Sequence, residues 1–385
     1  MESIKDKYVF VGIGLTKQGH FPELTVDQLA VQAGLRAIED AGIRKKDVNG
    51  YIFQPGIGGG PSAAAVRDIG IGARFVIEMQ TGGATAIAAM GSAIGAMEAG
   101  ICEAVMLLTA TSASSMGTLV GMGSPDPSTE GAYGWYSPTA MVAAMARRYM
   151  TRYKITEQHL GMVALALREN ANKRPDAVMY RRTLTMEEYL NSRYIAEPLR
   201  ARDCCLVNDG AAALIITTAK KAKSLRRPPV YVMGYGLDHS QREASRTQQA
   251  LFQFDGPVTE KAREVAFGTA GIRPKDIDMA QFYDAFTISL ITQLSSYGFC
   301  ERGKEAAFLE DGNIRLDGSL PCNTSGTELS WSYLQGFTHL TEGIRQMRGE
   351  GGECQIKDAE TCLVTGFGGT GLGVSASCTI LRREP

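Results

Sequence analysis

The stretch Ala41-Gly42-Ile43-Arg44-Lys45-Lys46-Asp47-Val48-Asn49-Gly50-Tyr51-Ile52-Phe53 returns as Ala270-Gly271-Ile272-Arg273-Pro274-Lys275-Asp276-Ile277-Asp278-Met279-Ala280-Gln281-Phe282. Seven of the thirteen positions are identical at an offset of 229 residues. Working outward, Val11-Gly12-Ile13-Gly14-Leu15 matches Met233-Gly234-Tyr235-Gly236-Leu237, and Ala104–Leu108 resembles the run ending at Cys362-Leu363-Val364. A period this long indicates a duplicated domain rather than a solenoid of short repeats. The chain reads as two copies of one α/β unit.

Each copy begins in the same way. Tyr8–Ile13 is a β-rich run ending in Gly12-x-Gly14, read as a buried strand and its turn. Thr25 caps a helix whose apolar positions Leu29, Ala33, Leu35, Ala37 and Ile38 recur at helical spacing, and Gly42 suits a left-handed C-cap. Val48–Phe53 is the next strand. Strand, helix and strand at this spacing predict parallel pairing. The second copy runs from Val230 through a helix before Ala270-Gly271 to a strand ending at Phe282.

The composition excludes several classes. The 385 residues carry a net charge of −1, with 44% hydrophobic and 21% charged residues, as in an ordinary soluble protein. No basic surplus points to nucleic acid, and no apolar run reaches the roughly 18 residues that span a bilayer. Met1–Lys7 lacks the apolar centre of a signal peptide, so a cytoplasmic protein is expected. The eight cysteines form no CxxC pair and the four histidines no spaced pair, so no metal site is expected in this chain.

Four loops carry the candidate chemistry. Thr81-Gly82-Gly83 precedes a helix of small residues, Ala84–Met97, which suits the centre of the molecule. Backbone N–H groups at such a helix start form either an oxyanion site or a tight turn. The other three loops are Tyr283-Asp284-Ala285-Phe286, Leu320–Thr327, and the glycine-rich Gly366-Phe367-Gly368-Gly369-Thr370-Gly371, where backbone approaches a ligand closely. One such loop at the end of each duplicated segment predicts a single convergent site. Residues 111–200 interrupt the repeat with a Ser-, Gly-, Met- and Pro-rich stretch containing Tyr133, Trp135 and Tyr136. Basic helices near Thr139–Lys154 and Glu157–Lys173 follow, and the segment reads as a loop domain over the site or as a helical interface layer.

Taken together, these residues resemble the thiolase superfamily over essentially the whole chain. The nearest likeness is to its sterol-carrier and lipid-transfer branch, carried by Asn208-Asp209-Gly210-Ala211-Ala212 and Asn323-x-Ser325-Gly326. The resemblance implies a duplicated thiolase fold of five α-β-α-β-α layers with mixed sheets. It implies residues 1–110 with 201–225 as the N-terminal half, 111–200 as the inserted loop domain and 226–385 as the C-terminal half.

The thiolase pattern is broken at each catalytic position. Gly83 stands where the family has its nucleophilic Cys, and no Cys occurs before Cys102. Tyr283 replaces an Asn or His, Tyr333 in Ser332-Tyr333-Leu334 replaces the His of Gly-His-Pro, and Gly366 replaces the second Cys. Without a thiol at the helix start no acyl-enzyme forms there. Tyr283 and Tyr333 become the acid–base candidates, each otherwise a packing aromatic. Asp284 is expected to orient the loop, and Gly83 and Gly368 to supply oxyanion donors. Asn323, Ser325, Gly326, Phe367 and Gly369 are assigned to coenzyme A.

Cys-less, Tyr-bearing members resemble two groups. One is the benzoylsuccinyl-CoA thiolases of anaerobic toluene degradation, which cleave a bulky β-oxoacyl-CoA with CoA. The other is the steroid side-chain aldolases, which cleave a β-hydroxyacyl-CoA. The free thiols, Met content and aromatic loop place the CoA-dependent retro-Claisen reaction first and the retro-aldol second. A non-catalytic acyl-CoA or lipid carrier is the third reading. The resemblance further implies a homodimer joined by a small zinc-ribbon/OB-fold subunit in a heterotetramer, with zinc on that partner.

Overall fold

The computed structural model describes residues 4–56, 60–117, 137–240, 257–370 and 373–385. Tyr133, Trp135 and Tyr136 of the aromatic loop lie outside the described residues. The first half builds strands β1 (Tyr8–Leu15), β2 (Gly50–Pro55), β3 (Phe75–Glu78), β4 (Ala104–Ser112) and β7 (Asp209–Thr218), in the order β3-β2-β4-β7-β1. The second half builds β8 (Val230–Ser240), β9 (Met279–Gln281), β10 (Thr361–Thr370) and β11 (Gly373–Arg382), in the order β8-β11-β10-β9. A parallel bridge from Ala280 to Cys322 stands where the first half has β3. The halves therefore share one topology. Their sheets join edge to edge through Val9–Tyr231 and Phe10–Val230 into one nine-stranded mixed sheet.

Seven helices of ten or more residues occur among the described residues: α1 (Val26–Ala41), α2 (Thr85–Glu98), α3 (Pro138–Tyr153), α4 (Glu157–Asn172), α5 (Pro257–Ala270), α6 (Thr287–Ser296) and α7 (Phe337–Arg348). Thr25 and Gln28 form a capping box on α1, and Gly42 closes it at φ 64°. Strand alternation sorts the core into layers. Val9, Val11, Tyr51, Met106 and Leu108 pack on α1. Their neighbours Phe10, Ile52, Val105 and Leu107 face the opposite way. They meet α2, α7 and the inner face of the second half's sheet, represented by Met279, Cys362 and Val364. The outer face of that sheet, with Ala280, Leu363 and Cys378, packs on α5 and α6. The five expected layers follow, with the small-residue helix α2 in the middle one.

Gly12-x-Gly14 is not a turn. β1 runs through it to Leu15, and its mate Gly234-x-Gly236 lies within β8. A Cβ on Gly14 would sit 1.9 Å from the Ala33 carbonyl of α1, and one on Gly236 would sit 1.9 Å from the Ala262 carbonyl of α5. Glycine is required because helix backbone lies directly on strand backbone, and the facing residues Ala33, Ala37 and Ala262, Ala266 are correspondingly small.

Between β4 and β7, α3 and α4 precede the short strands β5 (Tyr194–Ala196) and β6 (Leu199–Arg200). Val142, Met145, Leu160, Val163 and Leu167 of this segment join the cluster that holds Phe282, Leu290 and Leu329 of the second half. Chain inserted in the first half thus packs on the second. No helix among the described residues is long and apolar enough to cross a membrane.

Candidate active site

Tyr283 follows β9 after one residue, Phe282, on a loop whose backbone is fixed at several points. Asn323 accepts from the Phe282 N–H at 2.8 Å and donates to the Phe282 carbonyl at 2.8 Å. Thr365 Oγ1 accepts from the Tyr283 N–H at 2.9 Å, and Gln293 Nε2 donates to the Tyr283 carbonyl at 2.8 Å. These partners come from three separate elements, so the loop has little freedom and its side chains are pre-aimed.

The Tyr283 ring points at Gly83. A Cβ on Gly83 would lie 2.1 Å from both Cε2 and Cζ of Tyr283 and 2.4 Å from its hydroxyl oxygen. The phenol therefore fills the space that a side chain at position 83 would take. The Gly83 loop is held by Thr85, whose hydroxyl donates to the Gly82 carbonyl at 2.7 Å, and by Gln54, whose Nε2 donates to the same carbonyl at 3.1 Å. Cβ atoms on Gly336 and Gly366 would lie 2.5 and 2.7 Å from the Gly83 carbonyl, and one on Gly368 would lie 2.0 Å from the Thr81 carbonyl. Side-chain-free backbone lets these loops meet at one point.

Tyr333 enters from the segment before α7. Its N–H donates to Asn208 Oδ1 at 2.8 Å, which ties it to the Asn208-Asp209-Gly210 motif at the start of β7. Tyr283 and Tyr333 are both buried, and each phenol lies near enough to the other to influence its ionisation. Burial, then the charge of Glu328, pushes the Tyr283 phenol well above its ordinary value. Burial, then Cys205 and Glu328, does the same to Tyr333. Both phenols are protonated at neutral pH.

Behind Tyr283 lies a polar cluster sealed from solvent. Asp284 accepts from the Thr327 hydroxyl, from the Glu328 N–H at 3.1 Å and from His339 Nε2 at 2.6 Å. Thr327–Trp331 forms a π-helical turn entered through Gly326 at φ 84°. Such turns are rare and concentrate at functional positions. Glu328 Oε1 accepts from the Gly336 N–H at 2.7 Å. Burial, then the charge of Asp284, raises the Glu328 carboxyl well above the carboxylate range. The His339 ring lies 5.6 Å from the Tyr283 ring centre.

Tyr283, Tyr333, Asp284, Gly83 and Gly368 thus converge. The residues assigned to coenzyme A do not behave alike. Asn323 is fully buried, and its amide is occupied by Phe282 and by the Thr327 hydroxyl, so it holds the Tyr283 loop. Ser325 is fully buried, and the Thr327 N–H points at its hydroxyl. A Cβ on Gly326 would strike the Leu167 carbonyl at 2.5 Å. These three position the site from below. Phe367 is buried beside Gly368, and Gly369 pairs with Val374 in the β10–β11 hairpin.

Sequence reading missed Glu328 and His339. Glu328 sits in Thr327-Glu328-Leu329-Ser330-Trp331, which reads as a helix start where an acidic residue is ordinarily solvated. His339 was one of four unpaired histidines. Cys205 is near enough to both tyrosines to act on them, but burial pushes its thiol well above the ordinary range. A thiol that resists ionisation is a poor nucleophile.

Known proteins resemble this chain over nearly its whole length. A steroid side-chain-cleaving aldolase of Thermomonospora curvata is 33% identical over 97% of this chain and 97% of its own length. A 17-hydroxy-3-oxo-4-pregnene-20-carboxyl-CoA lyase of Mycobacterium tuberculosis is 33% identical over 96% of this chain and 98% of its own. The solved Ltp2-ChsH2(DUF35) aldolase superposes with a TM-score of 0.86 at 31% identity, covering 98% of each chain. The benzoylsuccinyl-CoA thiolase subunit BbsB of Thauera aromatica is 27% identical over 60% of each chain. The order of the two enzymatic readings is corrected accordingly: the similarities support C–C cleavage of an acyl-CoA, and favour the aldolase reading over benzoylsuccinyl-CoA. Residues 11–220 match the thiolase N-terminal domain and residues 239–383 the thiolase C-terminal domain-like family, so the chain belongs to the thiolase family.

Proposed function

We propose that this protein cleaves the Cα–Cβ bond of a bulky β-hydroxyacyl-CoA by a retro-aldol reaction. The observation that carries this reading is the Tyr283 phenol standing in the side-chain space of Gly83. An acid–base group there suits a reaction that moves protons and needs no acyl-enzyme. The substrate's β-hydroxyl loses its proton, and its oxygen becomes a ketone as the Cα–Cβ bond breaks. The released electron pair forms a thioester enolate, which is then protonated. Tyr283 and Tyr333 handle the protons, and backbone N–H groups of Gly83 and Gly368 hold the enolate oxygen. Asp284 positions both the Tyr283 loop and the π-turn.

The relatives' names support the substrate class. In a 17-hydroxy-pregnene-20-carboxyl-CoA the hydroxyl lies on the carbon β to the thioester. A ring-bearing substrate of that kind would leave as a ring ketone and a short acyl-CoA. Coenzyme A enters as part of the substrate. The likeness to an aldolase solved with a DUF35 component supports such a partner here, and the expected zinc would belong to it, with two copies of this chain at the centre.

The test is product analysis by mass spectrometry. This chain, co-expressed with a DUF35 subunit, is given a steroid β-hydroxyacyl-CoA with and without free CoA. Release of a ketone and one acyl-CoA without added CoA is expected. A requirement for free CoA, with two thioesters formed, would overturn the retro-aldol reading.

A further inference from the structure

Two protonated phenols leave the retro-aldol without a base. A neutral phenol takes up an alcohol's proton only if its own proton moves on to another acceptor. Among the groups packed against Tyr283, Glu328 is arranged to be that acceptor. Its residue is fully buried, Oε1 is committed to the Gly336 N–H, and Oε2 has no hydrogen-bond partner among the described residues. A Cβ on Gly83 would lie 2.4 Å from the Tyr283 hydroxyl, and Glu328 is the leading charged group acting on that phenol. Gly336 itself lies against the Gly83 carbonyl, which puts Glu328 one residue behind the reacting loops.

We propose that Glu328 is the terminal proton acceptor of this site, receiving the substrate's hydroxyl proton through Tyr283 and returning it to the enolate carbon. The inference rests on the retro-aldol reading. In the forward step the Tyr283 oxygen takes the β-hydroxyl proton while the Tyr283 proton passes to the Glu328 carboxylate. The Cα–Cβ bond breaks, giving the ketone and the enolate. Glu328 then returns its proton through Tyr283 to Cα. Enzyme groups end as they began, and nothing is oxidised or reduced.

The groups facing Glu328 come from every neighbouring element. Asp284 lies on the β9–α6 loop with its oxygens occupied by Thr327, Glu328 N–H and His339. His339 of α7 turns Nδ1 toward Glu328 Oε1 at 3.9 Å, and this nitrogen has no hydrogen-bond partner among the described residues. Tyr283, Tyr333 and Cys205 complete the set. Burial, then the Asp284 charge, keeps Glu328 from ionising at ordinary carboxylate pH. Glu328 is a relay residue that acts through Tyr283 and need not touch substrate.

The experiment pairs a pH–rate profile with infrared titration of the same complex, in wild type, Glu328→Gln and Glu328→Asp. Glutamine still accepts from the Gly336 N–H but cannot take a proton. Wild type is expected to show kcat/KM rising with pH, its midpoint above the carboxylate range. Glu328→Gln is expected to abolish that limb and lower kcat by about 10²–10⁴-fold. Glu328→Asp should keep the limb at reduced kcat. A buried-carboxyl C=O band should titrate in wild type with the same midpoint and be missing from Glu328→Gln. An unchanged limb in Glu328→Gln, or a band that persists in it, overturns the relay while leaving the retro-aldol reading standing. A wild type that shows the band yet cleaves no β-hydroxyacyl-CoA overturns the retro-aldol reading instead, and the relay with it.

Discussion

The thirteen-residue repeat ends at Phe53 in the first half and Phe282 in the second, and the next residues are Gln54 and Tyr283. Both are buried at the ends of equivalent strands beside the same loop. Gln54 spends its amide on the Gly82 carbonyl and on Gln335 Oε1, at 3.1 Å each. Tyr283 instead turns its hydroxyl into the site, and its backbone is held by other residues. Duplication supplied the same place twice. One copy holds the loop, and the proposed function gives the other an acid–base group.

The largest effect should come from the chemical copy. Tyr283→Phe removes one oxygen, and kcat for C–C cleavage should fall by about 10²–10⁴-fold with the melting temperature nearly unchanged. Comparable kcat in mutant and wild type would reduce Tyr283 to a packing aromatic. The shared scaffold should respond equally in both halves. Gly14→Ala and Gly236→Ala each force a helix off its strand, costing about 1–3 kcal/mol or more in urea unfolding. A large effect in one half alone would break the equivalence. Gln54→Leu leaves Gln335 Oε1 without its donor and the Gly82 carbonyl with Thr85 alone, and should lower stability by about 1–3 kcal/mol while costing less activity than Tyr283→Phe. The reverse pattern would exchange the roles of the two copies. Smallest of all are the repeated surface pairs, Arg44–Asp47 at 2.6 Å and Arg273–Asp276 at 3.8 Å. Asp47→Asn and Asp276→Asn should leave the urea midpoint unchanged within error, since exposed pairs are screened by water and salt.

Much of this was legible in the sequence because it is local or repeated. The Thr25 cap, the Gly42 terminus, the strand–helix–strand order and the absence of Cys before residue 102 all need only neighbours or a count. The Tyr pair was reached through the family pattern rather than through spacing. What escaped depends on distant chain. Glu328 is buried because Gly336, Tyr283, Asp284 and Cys205 surround it, and no window of sequence contains them all. Asn323 looked like a ligand contact, yet its amide is taken up by Phe282, forty-one residues away. The Gly-x-Gly pairs carried a correct signal with the wrong cause, because close approach and turning both call for glycine.

The position of β11 bears on how the molecule is made. It is the last of the nine sheet strands to be synthesised, yet it lies between β8 and β10 rather than at an edge. Until it arrives, two strands of the second half present unpaired backbone, and the inner apolar face of the first half has only part of its cover. At about 5–20 residues per second, the stretch from the end of β10 to the end of β11 takes about 1–2 seconds to add. A truncation that removes β11 is therefore a defect of folding before it is a defect of catalysis.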